Sequence, residues 1–122
     1  MPPKPRILIV EDEALIALDL ACAVEDHDGE VIGPVASVAE ALALLEMVPV
    51  AGAVLDANLR DGVVTPLARR LLDRGVPFVI HTGTGLPADL VETPVVLPVV
   101  MKPASARHVV GLLMMKLVRP GA

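Results

Sequence analysis

Five polar side chains in this sequence stand directly behind short aliphatic runs, and their types together point to phosphoryl chemistry. Glu11 and Asp12 follow residues 7–10, Asp56 follows 51–55, Thr82 follows 76–81 and Lys102 follows 99–101. If each run is a strand of one parallel sheet, all five converge at its carboxyl edge, where the sites of open α/β sheets gather. Two like charges about 4 Å apart repel by roughly 4 kcal/mol at an effective dielectric near 20. Three carboxylates there are costly unless a cation shares the site. Oxygen ligands in an open site select a hard ion that keeps waters, which points to Mg²⁺. A carboxylate, a divalent cation, a lysine and a hydroxyl are the parts needed to move a phosphoryl group. Metal and lysine would neutralise its oxygens while a carboxylate attacks in line, and the product would be an aspartyl phosphate.

The elements that must position these groups alternate along the chain. Residues 7–10 form a fully apolar run that stops at Glu11-Asp12-Glu13, acids standing where a helix dipole favours negative charge. An Ala/Leu-rich helix is predicted from there to about residue 27, ended by Asp28-Gly29. Residues 30–32 make a second strand, broken by Gly33-Pro34. Ser37 and Glu40 have the capping-box spacing and open a helix to about Met47. The third strand, 51–55, ends on Asp56, and a loop over 57–64 leads to Thr65-Pro66, a cap followed by proline at the first helical position. That helix ends near Gly75. Residues 76–81 form the fourth strand and 99–101 the fifth, after which Ser105 caps a last helix to about 118. Between 87 and 98 the pattern thins, and only 88–93 suits a helix, one too short to stand without tertiary support. The prediction is an α/β fold: a doubly wound five-stranded parallel sheet with helices on both faces, flavodoxin-like, its fourth helix short or irregular. One domain over 1–122 is expected, with its core at about 6–118.

Composition narrows the setting. More than half of the 122 residues are apolar, enough for a core without disulfides or a structural metal. Phe78 is the only member of the Phe, Tyr and Trp set, so that core is aliphatic. A formal charge of -5 disfavours phosphate backbones, and no nucleic-acid partner is expected. The lone Cys22 excludes an internal disulfide and fits a reducing cytoplasm. No run approaches the roughly 18 apolar residues of a membrane helix, nor is the start of the chain apolar enough for a signal peptide. A soluble cytoplasmic protein without a membrane partner is expected.

From Arg6 to Val118 the chain resembles the receiver domains of two-component signalling, CheY-like in fold. The resemblance is carried by Glu11-Asp12, Asp56, Thr82-Gly83 and Lys102-Pro103, each weak alone and specific as an ordered set. It implies that Asp56 is the phosphoacceptor and that Thr82 and Lys102 bind phosphoryl oxygens. It implies Mg²⁺ on Asp12 and Asp56, with Glu11 acting directly or through water and the Asn58 backbone carbonyl completing the protein ligands. A cis Lys102-Pro103 peptide is frequent in the family. The partner implied is a sensor histidine kinase or a phosphotransfer protein, the output that of an adaptor or phosphate sink. Such a domain is no enzyme beyond its own phosphorylation and dephosphorylation. The stretch from Pro77 to Gly85 also resembles the fourth-strand signature of the FAT GUY receivers, single-domain regulators that accompany kinases of the HWE type; His81 and Thr84 depart from it. Val99 stands where many receivers carry a switching Tyr or Phe, so ordering of 83–98 is expected to carry the signal instead.

Other functions fit less well. A degenerate receiver that binds its partner regardless of phosphate would not need the full residue set. An aspartyl phosphohydrolase of the haloacid-dehalogenase type wants a second aspartate at the position of Asn58, and a flavodoxin-like nucleotide binder wants no Glu-Asp-Glu after its first strand. Of the remaining residues, Glu13 is expected to serve the helix start and His81 to pack in its strand. His27 and His108 are expected at the surface and Cys22 in the core. Met114 and Met115 are expected to pack the last helix or to line an interface.

Overall fold

The computed structural model describes residues 3–83, 85 and 98–117. Its centre is a parallel sheet of five strands in the order β2-β1-β3-β6-β7: β1 Arg6–Val10, β2 Glu30–Val35, β3 Gly52–Asp56, β6 Phe78–Thr82 and β7 Val99–Met101. A separate antiparallel pair, β4 Asn58–Leu59 and β5 Gly62–Val63, lies in the loop after Asp56. The described helices are α1 Ala14–Asp26, α2 Val38–Met47, α3 Thr65–Asp73 and α4 Ala106–Leu117.

Strand side chains alternate between faces, so each aliphatic run feeds two cores. Leu8, Val10, Leu55 and Ile80 pack with Ala41, Leu45, Leu67 and Leu71 of α2 and α3. Ile7, Ile9, Val54 and Val79 pack with Leu20, Val24, Val110 and Leu113 of α1 and α4. Burying each such Val, Leu or Ile side chain contributes about 1.5–3 kcal/mol, which fixes the register and hence the position of every residue at the carboxyl edge.

The doubly wound sheet is as predicted, and the short fourth helix expected at 88–93 lies outside the described residues. Several local expectations are corrected. Strand β2 runs on through Gly33-Pro34 to Val35, with an irregularity in its pairing to β1 opposite that dipeptide. Val64 caps α3, so Thr65 is its first residue and not its cap; the Thr65 hydroxyl is buried without a hydrogen-bond partner among the described residues. Cys22 is exposed, because the buried stripe of α1 is Ala17, Leu20, Ala23 and Val24 and residue 22 falls on the other face. The β4–β5 hairpin replaces the plain loop expected over 57–64. His108 is exposed as expected, while His27 is half-buried with Nδ1 2.9 Å from the Ala23 carbonyl.

Candidate functional site

The site is built where the sheet stops being apolar. Strand β3 is buried at all five positions, and its last residue, Asp56, pairs in register with His81 of β6. On the other side β1 ends at Val10, and the next residue, Glu11, is tied down by its amide bond to the Val35 carbonyl at 2.9 Å. Lys102 follows β7, its amide donating to the Thr82 carbonyl at 2.7 Å. Its peptide bond to Pro103 is cis, as the resemblance implied.

The predicted carboxylates meet. Oxygens of Glu11, Asp12 and Asp56 all lie within 4.8 Å of one another, Glu11 and Asp56 buried and Asp12 exposed at the rim. The Lys102 ammonium reaches between the buried two, 3.1 Å from Glu11 Oε1 and 3.4 Å from Asp56 Oδ2. Backbone amides complete the cradle: Glu13 N–H donates to Glu11 Oε2 at 3.1 Å and Asn58 N–H to Asp56 Oδ1 at 3.4 Å. Thr82 is fully buried, and its hydroxyl donates to the Gly85 carbonyl at 3.2 Å. Glu13 itself stays out of the cluster, exposed.

One ammonium does not balance three carboxylates. Burial, reinforced by Asp56, pushes the Glu11 carboxyl from its ordinary 4.5 up to about 7, against the opposing pull of the Glu13 amide and Lys102. Burial works against the Lys102 ammonium, but its bonds to Glu11 and Asp56 outweigh that and hold it above the ordinary lysine range. A carboxyl that keeps a proton near neutrality beside two other carboxylates marks a shortage of positive charge. An all-oxygen donor set with an exposed rim therefore fits a hard divalent cation that retains water.

Three features had no advance signal or only a faint one. Asp61, in the turn between β4 and β5, accepts the amides of Val38 and Ala39 at 2.8 and 3.1 Å, fastening the loop behind Asp56 to α2. Those two bonds hold its carboxyl below the usual range. Glu11, expected as a direct or water-bridged ligand, is the most deeply buried of the three acids. His81 packs in its strand as expected, yet both of its buried ring nitrogens are without a hydrogen-bond partner among the described residues. Leaving a buried polar group unmatched costs about 1–3 kcal/mol. Burial, then Lys102, holds the imidazole below its ordinary range despite the pull of Asp56.

No family model matches the chain, and no curated protein matches it in sequence. Solved structures do. The chain is similar to SdrG from Sphingomonas melonis Fr1, with 36% identity over 98% of this chain and 100% of that one at a TM-score of 0.77. It is similar to the response regulator PhyR from Brucella abortus, with 31% identity over 94% of this chain but 48% of that one, at a TM-score of 0.76. A CheY-like receiver domain protein from Methanospirillum hungatei JF-1 shares 26% identity over 94% of both chains at a TM-score of 0.80. With the fold, the strand-end carboxylates and these likenesses in place, the chain belongs to the response-regulator receiver domains. The SdrG likeness is consistent with the FAT GUY resemblance. Among the described residues no helix is long and apolar enough to cross a membrane.

Proposed function

We propose that this receiver accepts a phosphoryl group on Asp56 from a sensor histidine kinase, of the HWE type, or from a phosphotransfer protein, in the cytoplasm. It then serves a two-component or phosphorelay pathway as an adaptor or phosphate sink. The observation that supports this best is the Lys102 ammonium held between Glu11 and Asp56 inside a three-carboxylate cluster. Glu11, Asp12, Asp56 and the Asn58 backbone carbonyl would hold Mg²⁺, which when bound supplies charge neutralisation at the phosphoryl oxygens.

The chain's own groups divide the remaining work. An Asp56 carboxylate oxygen forms the new bond to phosphorus as the donor's P–N bond breaks, and the leaving imidazole takes a proton from water. Lys102 stands close enough to Asp56 to exchange a carboxylate partner for a phosphoryl oxygen. Thr82 would turn its hydroxyl from the Gly85 carbonyl to a second oxygen. The Asn58 amide on Asp56 Oδ1 orients the nucleophile. No separate substrate is turned over: the chain catalyses only its own phosphorylation and dephosphorylation. Incubation with acetyl phosphate and Mg²⁺ followed by intact mass tests this. One added phosphoryl group, absent in Asp56→Asn, is expected; an unmodified wild-type chain rejects the proposal.

A further inference from the structure

Helices α1 and α4 pack side by side on one face of the sheet, around Leu20, Val24, Val110 and Leu113. Each follows a strand of the same parallel sheet and runs back beside it, so the two point the same way. Their outward sides differ in sign. The charged residues of α1 are all acids, Asp19, Glu25 and Asp26, and those of α4 are the bases Arg107 and Lys116; all five are exposed. No ion pair joins the two helices among the described residues. Several of these charges also oppose their own helix dipole: Glu25 and Asp26 stand in the last turn of α1 and Arg107 in the first turn of α4. Neither the fold nor the helices gain from them there. Apolar surface accompanies the charge. Leu15 and Leu18 on α1 are 76% and 58% exposed and Met115 on α4 is 60% exposed. Where α1 ends against α4 lies an open groove of about 630 Å³, lined by His27, Arg107, Leu112 and Met115 among others, with no carboxylate in its lining. Exposed apolar surface rimmed by charge marks an interaction site.

We propose that the α1–α4 face binds a second copy of this chain, the acidic α1 of each copy lying on the basic α4 of the other. Symmetry and charge together select the arrangement. In an isologous dimer the same patch meets itself across a two-fold axis. With that axis running along the two helices, α1 faces the partner's α4 and each acidic helix meets a basic one twice over. With the axis running across them, α1 would face α1 and acid would meet acid. A surface divided lengthwise into an acidic and a basic half is therefore its own complement in one orientation only. The exposed leucines and Met115 supply apolar area to the same contact, and the ammonium and guanidinium find the partners they lack within the chain. The net charge of -5 on each copy opposes association at a distance, but that repulsion is screened beyond about 8 Å at physiological ionic strength. Helices in contact act inside this range. The dimer needs only the folded chain and does not depend on whether Asp56 is ever phosphorylated.

Sedimentation equilibrium of the full chain, in reducing buffer free of metal and phosphoryl donor, tests the proposal with two charge-reversed variants. One carries Asp19→Lys, Glu25→Lys and Asp26→Lys on α1, the other Arg107→Glu and Lys116→Glu on α4. The wild type is expected to form dimers that weaken as salt is raised. Each variant then sets like charge on like and is expected to self-associate at least about tenfold more weakly. An equimolar mixture of the two restores opposite signs across both contacts and is expected to form the heterodimer. Met115→Asn in both members of the mixture is expected to weaken it again, which separates a seated interface from plain attraction between oppositely altered proteins. All six positions are exposed, so the folded chain is retained, and a thermal melt of each variant verifies it. A wild type that stays monomeric up to about 1 mM overturns the proposal. So does a reversed variant that dimerises as tightly as the wild type, a mixture that does not associate, or a mixture indifferent to Met115→Asn.

Discussion

Two helices of this chain begin beside carboxylates, and they use them in opposite ways. At the start of α2, Ser37 accepts the Glu40 amide at 3.1 Å and donates to the Glu40 carboxylate at 2.9 Å, while Asp61 takes the amides of Val38 and Ala39. At the start of α1 three acids stand in a row, yet Glu13 caps the helix with no side-chain bond and no acid enters the first turn. Glu11 and Asp12 are turned away to meet Asp56 and Lys102. The same residue type thus secures the first amides of one helix, while at the other Glu11 takes only the amide of the cap residue Glu13 and otherwise faces the cluster. Carboxylates that crowd together in this way form a group that could hold a cation.

That contrast predicts effects of different kind and size. Asp12→Asn should weaken Mg²⁺ binding by at least about 10–100-fold, the loss that disturbing even the outer shell of a metal site produces, and should not lower metal-free stability. Isothermal titration and a thermal melt in chelator check the two halves. Metal-free stability should also depend on the Glu11 proton. Its folded value is raised, so the stabilisation is full below about 4.5 and is lost as pH rises through about 7. At 1.36 kcal/mol per unit this is on the order of 3 kcal/mol. His81 shifts the opposite way and costs stability as pH falls below its ordinary 6.5. The Glu11 contribution is therefore the difference between wild type and Glu11→Gln, measured by denaturant titration from pH 4.5 to 7.5; parallel curves would contradict it.

At α2 the order reverses. Ser37→Ala should cost about 1 kcal/mol of stability, the usual loss for a helix cap, and leave Mg²⁺ affinity unchanged. Asp61→Ala should destabilise less, since its carboxylate is exposed, and the loss should be largest near neutral pH in low-salt buffer. Amide exchange at Val38 and Ala39 reads it directly. A large Mg²⁺ effect from either α2 variant would dissolve the distinction between the two helix starts.

Much of the site was legible because a buried parallel strand announces its end. The aliphatic runs before Glu11, Asp56, Thr82 and Lys102 stop at a polar residue, and topology then brings those ends to one edge. Spacing also placed Ser37 and Glu40, although the Glu40 carboxylate binds the serine hydroxyl. What stayed hidden depends on distant partners. Asp61 caps amides 22 and 23 residues earlier in the chain, a contact no local pattern encodes. Cys22 went wrong because a helix as apolar as α1 does not declare its buried stripe, and Leu15 and Leu18 are exposed on it as well. The unmatched nitrogens of His81 follow from packing on all sides, which the strand pattern does not carry.

The central claim is that the cluster of Glu11, Asp12, Asp56 and Lys102 is a phosphoryl-receiving cradle and not a structural ion-pair network. Backbone NMR with Mg²⁺ and beryllofluoride, a mimic of the aspartyl phosphate, tests it most directly. The amides of Asn58, Gly83 and Lys102 should shift in slow exchange in the wild type and stay unchanged in Asp56→Asn. Identical spectra with and without the reagents, or the same shifts in the variant, would contradict the account.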